Sequence, residues 1–197
     1  MATALALDRF SIVPLTPDHS SRFSSFCCDD EDLEGFLRDD AEPLLESQVS
    51  YTYLGLFDQE LVGYISLATD AIRLDKKREV PGLSWAQRAP SFIPGLKIGR
   101  LATSKAFREN WNGVGKALIA FAWFKGLVLS EHVGIRFLTV DAYPKSADFY
   151  AKLGFVHNLW YETQTKTASM RMDLLAEISP SLSPYVQRFL DAVPSAT

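Results

Sequence analysis

The stretch best equipped for chemistry is Arg108-Glu109-Asn110-Trp111-Asn112-Gly113-Val114-Gly115-Lys116-Ala117-Leu118. Two glycines at the start of an apolar-striped segment let the backbone approach an anion closely. The free amides and positive dipole end of a following helix supply the counter-charge. A pyrophosphate suits such a cradle, although Gly-x-Gly alone is as often a plain turn into a helix. Two other glycine motifs fail. The Walker pattern needs Ser or Thr where Ala117 follows Lys116, and the dinucleotide fingerprint needs a third glycine where Leu118 stands. Phosphoryl transfer and nicotinamide chemistry are thereby disfavoured.

Further along lies Phe149-Tyr150-Ala151-Lys152-Leu153-Gly154-Phe155. The Tyr150 phenol is a neutral proton donor at physiological pH. Taken in isolation, it is also an aromatic that simply packs beside Phe149. Trp111 is open in the same way, either stacking on a nucleotide or covering the helix start. Cys27 and Cys28 are adjacent and cannot form an ordinary fold-stapling disulfide. His19, His132 and His157 are scattered without ligand spacing, so no metal is expected.

The elements that must position these residues follow from periodicity. Phe10 to Leu15 alternates as a strand and stops at Thr16-Pro17-Asp18. Asp29 to Asp32 place acids at a helix start, ahead of the apolar Leu33, Phe36 and Leu37. Val49 to Phe57 and Leu61 to Leu67, split by Asp58-Gln59-Glu60, predict a hairpin. Asp75 to Gly95, with Pro81, Gly82, Pro90 and Pro94, predicts a long loop holding a short helix near Trp85 to Arg88. Leu96 to Thr103 predicts a strand, Gly113 to Glu131 a long helix and Phe137 to Val140 a buried strand. Ser146 to Leu153 predicts a helix ended by Gly154, with strands from Phe155 and over Ser169 to Leu174. Tyr185 to Ala192 predicts one more helix. The expected fold is a mixed α/β (α+β) sheet, mostly antiparallel and flanked by helices, with no internal repeat.

At 197 residues and 47% apolar content the chain can fill one core. The expectation is one domain over 1–178 with an appendage at 179–197, whose Tyr185, Val186, Phe189 and Leu190 dock on the same chain or on a second copy as a homodimer. A charged fraction of 22% and a net charge of -4 are those of a folded globular protein. No apolar run is long enough to span a bilayer, and Met1 to Leu7 lacks the basic start of a signal peptide. A cytoplasmic, reducing setting without membrane contact is expected.

From Ile98 to Phe155 the chain resembles the GCN5-related N-acetyltransferases (GNAT). The resemblance rests on a strand ending in Leu101-Ala102-Thr103, a glycine-turn helix, another strand ending at Asp141, and the Phe-Tyr-x-x-x-Gly-Phe ending. It implies an acetyl-CoA-dependent N-acetyltransferase with a splayed strand pair holding the cosubstrate. By resemblance, Leu101, Ala102 and Thr103 hold the pantetheine arm. The loop amides from Arg108 through Glu109, Asn110, Trp111, Asn112, Gly113, Val114 and Gly115 to Lys116 hold the pyrophosphate. Tyr150 protonates the departing CoA thiolate. Two departures stand out. The family's polar residue before the glycines falls on Asn110, with Arg108 two positions earlier, so either one contacts phosphate. An asparagine common in the family at the end of the next strand is Tyr143 here, followed by Pro144, which alters the cofactor contacts expected near Tyr143 and Ser146.

The strand Leu96 to Thr103 offers no carboxylate base, so either a water deprotonates the amine or the acceptor amine has a low pKa. Phe26 to Leu37, Gly63-Tyr64-Ile65-Ser66-Leu67 and Gly99-Arg100-Leu101-Ala102 resemble the GNAT branch that includes toxins acetylating aminoacyl-tRNA. The implied acceptor is a small amine, a protein amine or charged tRNA. Nine basic residues lie between Arg73 and Arg108 against Asp75 and Glu79, while nine acids between Asp29 and Glu46 face only Arg38. Such asymmetry suits either a local tRNA-binding face or CoA phosphate contacts plus solvated surface. A non-catalytic CoA-binding sensor on the same fold is the other functional class.

Overall fold

The computed structural model describes residues 2–73, 91–158 and 167–191. The chain divides into two compact units, Met1–Ala68 with Ile98–Phe121, and Thr69–Lys97 with Ala122–Thr197.

The first unit begins with β1 (Thr3–Ala4) and β2 (Phe10–Pro14), followed by a 3-10 helix (Pro17–Ser25). Next come α1 (Glu31–Gly35), a π-helical turn (Phe36–Asp40) and α2 (Ala41–Glu46). It continues with β3 (Tyr51–Phe57), the start of β4 (Glu60–Arg73), the end of β5 (Phe92–Thr103), α3 (Lys105–Asn110), β6 (Trp111–Asn112) and the start of α4 (Val114–Ser130). Strands β2, β3, β4 and β5 are neighbours in that order, and β2–β3 and β3–β4 pair antiparallel. The predicted hairpin forms, and both of its turn residues, Asp58 and Gln59, have positive φ. That geometry matches the twist of the flanking strands, and Arg9 pairs with Asp58 beside it. The acids before α1 lead into an apolar face on which Phe36, Leu37 and Ala41 are buried with Phe26, Leu54 and Tyr64.

The second unit holds the end of β4, the start of β5, the rest of α4, β7 (Phe137–Ala142), α5 (Pro144–Lys152), β8 (Val156–His157), β9 (Ala168–Asp173) and α6 (Ser183–Asp191). Its strands follow the order β5, β7, β9, β8, with β9 antiparallel to both β7 and β8. The apolar run Phe137 to Val140 is buried along its length, as a central strand requires. Helix α6 seats Val186 in the interior and stacks Phe189 on Phe124 at 5.7 Å, so this tail docks on its own chain.

Two expectations need correction. The predicted loop through Pro94 and Gly95 ends earlier, because β5 already begins at Phe92. Pro94 lacks an amide, but its carbonyl accepts from the Arg136 N–H at 2.9 Å. The short helix expected near Trp85 lies outside the described residues. The second correction concerns 105–112, where α3 and β6 replace an open loop.

Candidate active site

The first unit carries the glycine turn. Gly113 has φ of 112°, a region that L side chains rarely adopt, and α4 starts immediately after it. The first helical bond runs from the Ala117 N–H to the Gly113 carbonyl at 2.9 Å. The amides of Val114, Gly115 and Lys116 precede that bond, so helix geometry supplies them no intrahelical acceptor, and they lie at the positive dipole end. Four residues, Gly113 to Lys116, thus form a candidate anion cradle.

The cradle is shorter than expected. Arg108, Glu109 and Asn110 are helical in α3, where the Arg108 N–H donates to the Ser104 carbonyl at 3.2 Å. The Trp111 N–H donates to the Phe107 carbonyl. These amides are spent on α3, which Ser104 caps by accepting from the Phe107 N–H at 3.4 Å. The Arg108 guanidinium donates to Asp29 at 2.5 Å, whereas Asn110 is exposed. The Trp111 ring lies 5.0 Å from Phe57 and stacks on Phe107 at 6.1 Å, with the Arg9 guanidinium 5.7 Å away. Leu101 and Thr103 are half-buried and Ala102 is buried at the end of β5. The next amide, of Ser104, donates to the Val62 carbonyl at 2.8 Å.

The second unit carries Tyr150, 6% exposed, on the last turn of α5. Gly154 takes φ of 102°. The Gly154 N–H donates to the Ala151 carbonyl at 3.1 Å and the Phe155 N–H to the Tyr150 carbonyl at 3.2 Å. This is a Schellman stop, with its customary apolar contact between Phe155 and Tyr150, ring centroids 5.3 Å apart. Phe149 also packs edge-on against Tyr150, at 5.2 Å. Burial pushes the Tyr150 phenol well above its ordinary value. At the other end of α5, Tyr143 is the N-cap and Pro144 the first helical residue, with the Ser146 N–H on the Tyr143 carbonyl at 2.8 Å.

The charge asymmetry partly cancels in space. Within the first unit, Arg108 pairs with Asp29, and Arg100 lies 3.9 Å from Asp32. Within the second, Lys97 pairs with Asp141 at 2.5 Å. Lys76, Lys77, Arg78 and Arg88 lie outside the described residues. The cysteines show no thiolate character. Cys27 is raised by the neighbouring Glu34 carboxylate and Cys28 by burial. Among the described residues no group of three or more His, Cys, Asp or Glu is placed to hold a metal ion. No described helix is long and apolar enough to cross a membrane.

Sequence reasoning missed Asp29 as the partner of Arg108 and Phe155 as the brace of Tyr150. The Gly-Phe ending of the tyrosine motif was the available signal for the second. Nothing local announces the first.

No protein-family model matches the chain. Among solved structures, it is similar to AtaT complexed with acetyl-methionyl-tRNAfMet, with 25% identity and a TM-score of 0.69, covering 82% of this chain and 93% of that one. It is similar to a Tyr-to-Phe variant of KacT, with 22% identity and a TM-score of 0.72 over 92% of this chain and 99% of that one. A Tyr-to-Phe variant of the AtaT toxin, bound to the C-terminus of the antitoxin AtaR and acetyl-CoA, gives 22% identity and a TM-score of 0.67, again over 92% and 99%. The mostly antiparallel mixed sheet flanked by helices, shared with these structures, is the GNAT fold expected from Ile98 to Phe155.

Proposed function

We propose that this protein is an N-acetyltransferase that takes its acetyl group from acetyl-CoA and delivers it to the α-amine of an aminoacyl-tRNA. The observation that carries the reading is Tyr150, a buried phenol fixed by a Schellman stop within the Phe-Tyr-x-x-x-Gly-Phe motif. A sensor has no need of such an acid. Acetyl-CoA supplies the acetyl group as a thioester. In this reading the amides of Gly113 to Lys116 bind its pyrophosphate, Leu101 to Thr103 bind the pantetheine arm, and the Tyr150 hydroxyl protonates the departing thiolate. Arg108 pairs with Asp29 at the surface and Asn110 is exposed, so either can supply the polar contact beside the glycines.

The choice of acceptor rests on the missing base. Strand β5 carries no acid, and its Lys97 and Arg100 face carboxylates elsewhere. An α-amine titrates at about 7.7–8.0 and a lysine at about 10.4, so at pH 7.5 roughly a third of the former but about one part in a thousand of the latter is neutral. With no acid on β5, the acceptor that needs least deprotonation, the α-amine, is favoured, and a water suffices to take its proton. The likeness to AtaT, whose structure holds acetyl-methionyl-tRNAfMet, supports the same acceptor class.

The test is acetyl-CoA turnover against charged tRNA, uncharged tRNA, polyamines, amino sugars and lysine peptides, read by thiol release and by mass of the released aminoacyl group. Acetyl on the aminoacyl group of charged tRNA alone is the expected result. Release with polyamines or peptides and none with charged tRNA would overturn the acceptor. CoA binding without release across the panel would overturn the enzyme.

A further inference from the structure

The chain entering Gly113 is held by a strand remote in sequence. β1 runs parallel to β6, with Thr3 opposite Trp111 and Ala4 opposite Asn112. The Leu5 N–H donates to the Asn112 carbonyl at 2.8 Å, and the Asn112 side-chain amide donates to the Ala2 carbonyl at 3.1 Å. Leu5 itself is 7% exposed, so its side chain anchors the strap in the first unit. Phe57 and Phe107 hold the same short segment through the Trp111 ring.

Two residues of parallel pairing contribute little stability of their own. Their consequence is geometric. The Asn112 carbonyl and the Gly113 N–H belong to one planar trans peptide and point in opposite directions. A hydrogen bond that fixes the carbonyl therefore fixes the direction of the amide, the first of the cradle. Gly113 needs such a constraint, because without a Cβ its φ and ψ are otherwise the freest in the turn.

We infer that Leu5 is a positioning residue for the anion cradle, acting through its backbone N–H on the Asn112–Gly113 peptide. The inference rests on the cradle binding the pyrophosphate of acetyl-CoA, as proposed above. Its function is to pre-orient the amides, so that the cosubstrate does not have to order them on binding.

The test compares Leu5→Pro with Leu5→Ala in the full chain. Both lose the leucine side chain, but proline alone lacks the N–H. Each is assayed with acetyl-CoA and with S-acetylpantetheine, which carries the same thioester without the pyrophosphate. Leu5→Pro is expected to raise the acetyl-CoA KM about tenfold over Leu5→Ala, as loss of one oriented donor to a charged group would. Its kcat should hold, and the S-acetylpantetheine kcat/KM should match in the two variants. Equal acetyl-CoA KM values, or equal losses with both thioesters, would overturn the inference. Should Leu5→Pro fail to fold, replacing the Leu5 amide by an ester in a semisynthetic full chain, which removes the same N–H and keeps the side chain, is expected to raise the acetyl-CoA KM in the same direction, and an unchanged KM would overturn the inference. A wild-type enzyme that does not distinguish acetyl-CoA from S-acetylpantetheine in KM would instead show that the cradle reading itself is wrong, and the strap's role with it.

Discussion

The Phe155 amide donates to the Tyr150 carbonyl at 3.2 Å while the two rings pack edge-on at 5.3 Å, so one residue braces both the backbone and the ring of the candidate acid. Phe155→Ala removes a ring that is 3% exposed. It is expected to cost about 3–5 kcal/mol of stability and to lower kcat, because Tyr150 then loses its brace. Denaturant unfolding and turnover on the same preparation check this. Stability lost with kcat intact would make Phe155 a packing residue only.

Tyr150→Phe deletes one hydroxyl and leaves the packing with Phe149 and Phe155 in place. Turnover should fall on the order of a hundredfold, the range of a general acid, with CoA affinity unchanged by calorimetry. Equal turnover would remove Tyr150 from the mechanism.

Gly113→Asp places a side chain at a backbone φ of 112°, a strain of about 1–3 kcal/mol, and sets a negative charge against the anion cradle. CoA binding should be abolished, with Gly113→Ala intermediate because it adds strain without charge. Intact CoA binding in the aspartate variant would place the pyrophosphate elsewhere.

Alkaline stability follows from the buried phenols. Burial raises Tyr150, and burial is also the leading cause for Tyr64, whose hydroxyl donates to the Leu33 carbonyl at 2.7 Å. Both folded values lie above the ordinary tyrosine value of about 10. Their contribution is therefore fully present below about pH 10 and is lost as pH rises further, because the unfolded chain ionises first. The urea midpoint should show a tyrosine-dependent fall above that pH, and Tyr150→Phe should lessen it. Identical alkaline slopes in wild type and variant would mean that Tyr150 is not desolvated.

Much of the fold was legible because its signals are local. The hairpin turn, the strand Phe137 to Val140, the helix start at Gly113 and the helix stop at Gly154 are written in residue type. Alternation marks a strand, burial on both faces demands an apolar run, and a positive φ favours glycine. The tyrosine motif is local too, since its Schellman bonds span only Tyr150 to Phe155.

Tertiary structure alone decided what surrounds the cradle. Arg108 pairs with Asp29, 79 positions away, and the Asn112 side-chain amide donates to the Ala2 carbonyl, 110 positions away. No periodicity encodes such pairs, because they depend on which surfaces packing brings together. β6 exists only because β1 lies beside it, and α3 is too short for an apolar stripe to announce it. The residue types of this chain determined that a glycine-led helix start and a candidate acid exist. The packing of remote segments determined which amides are bonded within α3 and which carboxylate Arg108 meets, because hydrogen-bond partners are allotted only once the chain has folded.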